Sequence, residues 1–197
     1  MRLDFKHLNP LQRYKIMSHT VVPRPIAWIV TEHEDIINIA PFSYFIPLSS
    51  EPPALIVSIG HKKNGEPKDT LKNILKTKKC TICFVSQELL KDMHYTSKDL
   101  PHDTSEAEYF NIDTKRVFEE FPPMIKNSPS AFFCTLNQVV DLKGSKTVPL
   151  ILEVEKYFVD DKFVTDKEKL HIELDLIARV GKEYSICENK ITPPVIP

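Results

Sequence analysis

Between Pro25 and Gly60 four short extended segments follow one another almost without pause: "PIAWIVT", "IINIA", "PFSYFIPL" and "PALIVSIG". They are rich in branched and aromatic residues, and prolines 25, 41, 47 and 53 mark their ends. Proline has no N–H to give a central ladder, so its place in a sheet is a corner or an edge. The first two segments, separated by the polar "EHED", read as an antiparallel pair. Short strands that turn corners in such quick succession favour a small barrel over a flat sheet.

Beyond Gly60 the pattern changes. "KDTLKNILKTKK" sets Leu71, Ile74 and Leu75 on one helical face and lysines on the other, with Asp69 or Thr70 expected as the N-cap. "CTICFVS" returns to strand, and "QELLKDMHYTS" makes a short helix with Leu89, Leu90 and Met93 apolar. Residues 97–128 have no clear period and read as a loop excursion with one helical turn near "SEAEYF". "AFFCTLNQVVDL" and "PLILEVEKYFVDD" are the last long strands; in the second, Leu150, Leu152, Val154 and Phe158 are expected on one buried face. The tail "ITPPVIP" suits neither helix nor sheet. Strands in this proportion, without regular alternation of strand and helix, predict a mostly β, mostly antiparallel barrel with a few peripheral helices. A parallel nucleotide-binding sheet is disfavoured, because the four glycines form no G-x-G-x-x-G or G-x-x-x-x-G-K-[ST].

Charge narrows the partners. Lysine and arginine number 26 against 27 aspartates and glutamates, so no field of one sign recruits nucleic acid or an anionic membrane. The opening "MRLDFKHLNP" lacks the apolar core of a signal peptide, and a cytoplasmic location is expected. Cys80 and Cys83 form a C-x-x-C, but residues three apart on a strand point to opposite faces, so reduced structural thiols are expected rather than a metal or redox pair.

Two places could carry binding chemistry. In "GEPKDTLKN" the start of a helix offers free N–H groups, with Lys68, Thr70 and Asn73 beside it, which suits a phosphate as well as an ordinary capped surface helix. In "NIAPFSYF" the polar Asn38 and Ser43 sit among aromatics beside Pro41, which describes a ligand pocket or a packed corner equally well. There is no G-x-S-x-G nucleophile and no H-x-x-x-H metal pair, and no catalytic residue is assigned. His61 and His171 are lone histidines with no partner in the pattern.

The run "VVPRPIAWIVTEHEDIINIAPFSYFIPLSSEPPALIVSIG", continued by "GEPKDTLKNIL", resembles the flavin reductase-like family of FMN-binding split-barrel proteins, which includes flavoredoxin-type carriers and NAD(P)H:flavin oxidoreductases. The late "ARVGKEYSI" is similar to the family's closing R-x-G-x-x-Y, here Arg179, Gly181 and Tyr184. The resemblance implies one split-barrel domain over residues 1–197, its core at about 20–185, with six antiparallel strands in a Greek key. It implies a homodimer with one FMN per subunit. Carried over residue by residue, Asn38, Ala40, Pro41, Phe42, Ser43, Tyr44 and Phe45 would line the flavin, with Arg24 and Pro25 close by. Ser43, Lys68 and Thr70 would hold the ribityl chain or phosphate, Asp69 and Asn73 would shape that loop, and Ser49 and Ser50 match the family's S-x-PP bend. The activity implied is electron transfer from NADH or NADPH through FMN to an acceptor, with a redox protein or monooxygenase as partner. The alternative is a non-catalytic FMN-binding carrier or flavin store.

Overall fold

A computed structural model describes residues 1–187, 191–194 and 196. In chain order the elements are α1 (Pro10–Thr20), β1 (Arg24–Pro25), β2 (Ala27–His33), β3 (Ile36–Phe42), β4 (Phe45–Ser50), β5 (Pro53–Gly60), α2 (Asp69–Thr77) and β6 (Lys79–Cys83). They continue as α3 (Leu90–Tyr95), α4 (Glu106–Tyr109), β7 (Thr114–Lys115), β8 (Met124–Ile125), β9 (Ser130–Val139) and β10 (Thr147–Val159). The last are β11 (Val164–Asp166), β12 (His171–Ile172), β13 (Ile177–Val180) and β14 (Glu183–Ile186). The described part of the tail, residues 191–194 and 196, has no regular structure; the expectation for residues 195 and 197 lies outside the described residues.

The hairpin expected at "EHED" is β2–β3, and its two turn residues, Glu34 and Asp35, both have positive φ, the twist that matches flanking antiparallel strands. The main sheet runs β3-β2-β6-β9-β10-β5-β4, with every pairing antiparallel. Its two edges, β3 and β4, are one extended segment bent at Ser43 and Tyr44, so the chain itself joins one edge to the other and closes the barrel. Counted as one bent strand, β3 and β4 make the sixth strand of the expected Greek key. The crossover comes between β5 and β6, which have no common edge, and α2 carries it across the end of the barrel.

Strand alternation creates two cores. Ile29, Val57, Ile82 and Leu150 point into the barrel, where Leu71 and Ile74 of α2 plug the end; each such side chain contributes about 1.5–3 kcal/mol of burial. Trp28, Val30, Cys83 and Phe133 point outward and are covered by Val85, by Met93 of α3 and, from the excursion, by Phe121 and Met124. Cys80 lies in the inner core and Cys83 in the outer, as the strand geometry requires, and all four cysteines are free. Phe158 departs from its expected face. Bulges in the β9–β10 pairing, one between Val154 and Lys156, break the alternation, so Val154 packs with the inner core and Phe158 with the outer. The N-cap of α2 is Lys68, not Asp69 or Thr70, and no side chain caps it. Thr70 is drawn inward instead, where its hydroxyl meets Asn38.

Candidate functional site

The end of β3 is where backbone and side chains become available together. Ala40 to Phe42 pair with β2 on one side only, and beyond Phe42 the bend leaves Ser43 outside any ladder. Pro41 is tolerated here because the N–H it lacks would have faced the open edge. Two clefts meet over this edge and share Pro41 and Ser97. One, narrow, of about 50 Å³, is lined by Asn38, Ala40, Lys62, Lys68, Asp69 and Thr70, and by Thr96 to Leu100 and Glu106. The other, about 230 Å³, is lined by Phe42, Ser43, Tyr14, Met93, His94, Arg179 and Tyr184. A third, apolar cleft of about 300 Å³ lies past Ser43, against Arg24, Pro25, Tyr44, Phe45 and Ile46.

Behind the narrow cleft a buried polar network fixes the wall. Glu106 accepts from the Asn38 amide Nδ2 and the Ile39 backbone N–H, both at 2.9 Å. That sets the orientation of Asn38, whose Oδ1 then accepts from the hydroxyls of Thr70 at 2.7 Å and Thr31 at 3.3 Å. Asn73 donates to Thr31 at 3.0 Å. Every donor in this chain has its acceptor, which is the condition for a buried polar group to be tolerated. Burial pushes the Glu106 carboxyl above its ordinary pKa, against the opposing effect of the hydrogen bonds it accepts.

The mouth of the narrow cleft is charged. Asp69, first residue of α2, is paired with Lys62 at 2.6 Å and flanked by Lys72 and His102. Lys68 has only a 4.0 Å contact with Asp99. The wider cleft is held from outside the barrel. Trp28 donates its indole N–H to Thr96, which fixes the C-terminus of α3 and with it His94 and Ser97. His94 Nδ1 bonds the Tyr184 hydroxyl at 2.9 Å, and Tyr14 of α1 stacks on Tyr44 with ring centroids 6.3 Å apart. Burial, reinforced by Tyr14, raises the Tyr44 pKa, while Arg24 opposes it.

The structure thus gathers Asn38, Ala40, Pro41, Phe42, Ser43, Lys68, Asp69 and Thr70 around the two adjoining clefts, with Arg24, Pro25, Tyr44 and Phe45 around the third. Asn73 stands behind the wall, bonded to Thr31, and Ser49 lies on the exposed part of β4, where it accepts from the Glu51 N–H. His61 bonds the Lys146 carbonyl at the barrel rim, and His171 is exposed on β12. Residues the sequence reading did not single out are Tyr14, Lys62, His94 and Glu106. Tyr14 had a signal: Asn9-Pro10-Leu11-Gln12 is a capping box with proline in the first turn, and it starts α1. Glu106 had none, since only the docking of α4 on β3 gives it a role.

Comparison with known proteins agrees with this architecture. Residues 17–171 match the model of the flavin reductase like domain. An uncharacterized protein of Aquifex aeolicus is 32% identical over 187 residues, covering 90% of this chain and 93% of its own. Among solved structures, the 2-nitrobenzoate 2-nitroreductase of Pseudomonas fluorescens superposes with a TM-score of 0.89 at 24% identity, covering 100% of this chain and 96% of that one. Component B of nitrilotriacetate monooxygenase from Bacillus cereus gives 0.90 at 22%, covering 98% of each. At those identities the structures speak for the fold alone. The family model spans well over half of the chain, and the chain belongs to the flavin reductase-like domain family, built on its split barrel.

Proposed function

We propose that the protein binds FMN along the open edge of β3 and moves electrons from NADH or NADPH through it to an acceptor. The observation that carries this reading is the pair of adjoining clefts, aromatic and apolar at Phe42 and Tyr14 and cationic at Lys68. A phosphorylated flavin needs both: a flat wall for the ring and a positive end for the phosphate. The donor set fits, because the N-terminus of α2 has no side-chain cap and Lys68 is only loosely paired. Thr70 has given its one hydroxyl hydrogen to Asn38, so it can offer the ligand lone pairs only.

When bound, FMN supplies a ring that accepts hydride and passes electrons on. This chain's residues bind, orient and shield it. Pro41, Phe42 and Ser43 present the wall and unpaired backbone, Glu106 and Asn38 hold that wall rigid, and Lys68 anchors the phosphate. The acceptor is a small oxidant or a partner such as a monooxygenase that uses reduced flavin. The protein acts as a homodimer, whose contact falls on the exposed apolar residues of β4.

The visible spectrum of the purified protein tests this directly. Added FMN should give a bound flavin spectrum that NADH or NADPH bleaches and air restores. Flavin that binds but is not bleached would make the protein a carrier or store, and failure to bind would end the proposal. Lys68→Ala should weaken FMN about 10–100-fold, the loss of one charge-assisted contact, and leave riboflavin unchanged. Equal losses for both ligands would place the phosphate elsewhere.

A further inference from the structure

Arg24 and Arg179 are direct partners across the β1–β13 pairing, so two guanidinium groups rise side by side at the edge of the groove. Like charges on neighbouring strands repel unless something compensates them. Both converge on one carbonyl, that of Gly181, with Arg24 Nη2 at 3.4 Å and Arg179 Nε at 3.2 Å. Arg24 is 5% exposed, bonds the carbonyls of Ser18 and Val21 as well, and keeps a buried Nε with no acceptor. Among the described residues, no carboxylate lies within ion-pair distance of either arginine.

The two arginines divide the work. Arg24 commits both terminal nitrogens to tying α1 to the β13–β14 turn. Arg179 lies with its carbon Cζ 4.5 Å from the centroid of the Tyr184 ring and has only Nε committed, so its two terminal nitrogens remain for the cleft it lines. A planar guanidinium in that position is a fork, matched to two adjacent acceptor atoms. Around it the cleft offers Phe42, Met93, Tyr14 and His94, an apolar and aromatic surround for a planar group.

We propose that Arg179, backed by Arg24, is an anion-binding fork on the far side of Pro41 from Lys68, and that it takes a planar anion presenting two adjacent acceptors. Two sources share that chemistry: the carboxylate of a small aromatic substrate, and the anionic edge of a reduced flavin ring. The first stands on the arginines alone; the second rests on the FMN reading above.

Benzoate is the probe for the first source, titrated by NMR into protein freed of flavin, and the two-electron potential of the FMN-loaded protein is the probe for the second. Arg179→Gln should weaken benzoate tenfold or more, Arg179→Lys less, because lysine keeps the charge and loses the fork; neutral benzamide should bind all three proteins alike. If the fork instead serves the reduced ring, Arg179→Gln should cost the reduced state tenfold in relative affinity, a fall of about 30 mV in potential. Loss of benzoate with an unchanged potential assigns the fork to a substrate, and a lowered potential without benzoate binding assigns it to the cofactor. Neither effect, in variants whose thermal midpoints match the parent, overturns the proposal. Should Arg179→Gln fail to fold, Arg179→Met, which likewise removes both charge and fork, carries both measurements under the same criterion. A protein that takes up no FMN would sink the flavin reading and leave the benzoate titration decisive for the fork.

Discussion

Removal of the Glu106 carboxylate should be felt both in folding and in the groove. Its Oε2 serves two donors, the Asn38 amide and the Ile39 N–H, and truncation to alanine leaves both unpaired at about 1–3 kcal/mol each. Glutamine can place its amide oxygen at the same point, so Glu106→Gln keeps both bonds and removes the charge. The consequence for pH follows from the raised pKa. Below the ordinary carboxylate pKa both folded and unfolded chains hold the proton, and Glu106 contributes nothing. As pH rises through the ordinary value, about 4.3, the unfolded chain ionises first and stability falls until the folded pKa is passed. Glu106→Gln lacks that fall. The difference in urea midpoint, variant minus parent, should therefore rise from about pH 4 and level off above the folded pKa; a difference that is flat or shrinks with pH would show that Glu106 is not held against ionisation.

At the scale of the element, α2 joins fold to site, since Leu71 and Ile74 plug the barrel while Thr70 and Asn73, on the same buried side, tie into the polar wall. Its C-cap, Lys78, has φ 64°, a left-handed conformation that costs a side chain and suits glycine. Its N–H and carbonyl bonds, to Ile74 and Leu136, do not involve the side chain. Lys78→Gly should therefore gain up to about 1 kcal/mol in chemical denaturation, with flavin affinity unchanged; a loss of stability would mean that the lysine stem packs against something it needs. This helix also marks how far sequence carries. Its apolar spacing gave away Leu71 and Ile74, though Leu75, expected on the same face, is exposed, and the prolines gave away the corners, because both signals are local. The bulges in β10 that move Phe158 to the other core leave no local trace, since a bulge is set by the partner strand β9. Glu106 and His94 were equally silent, as each gains its meaning from a residue some 70–90 positions away.

For the whole molecule the open question is what the barrel does with its outer apolar surface. Closure through the bend at Ser43 and Tyr44 leaves β4 paired to β5 alone, and Ile46 and Leu48 stand on it 57% and 51% exposed. Met17 of α1 and Val21 just beyond it are exposed beside the same apolar cleft that Ile46 lines. Scattered apolar residues on a surface need no explanation, but a contiguous group around a cleft does. The proposed homodimer supplies one, and it sets the third cleft, with Arg24, Tyr44 and Phe45, against a second copy of the chain. Burying a charge there without a partner is costly, whereas on a free surface it is almost neutral. Ile46→Glu combined with Leu48→Glu should thus shift the sedimentation coefficient from that of a dimer to that of a single chain, with the far-ultraviolet spectrum preserved. Ile46→Ala, which removes area without adding charge, should weaken association by less. A double glutamate variant that still sediments as a dimer would place the interface on another face and leave these residues as plain surface.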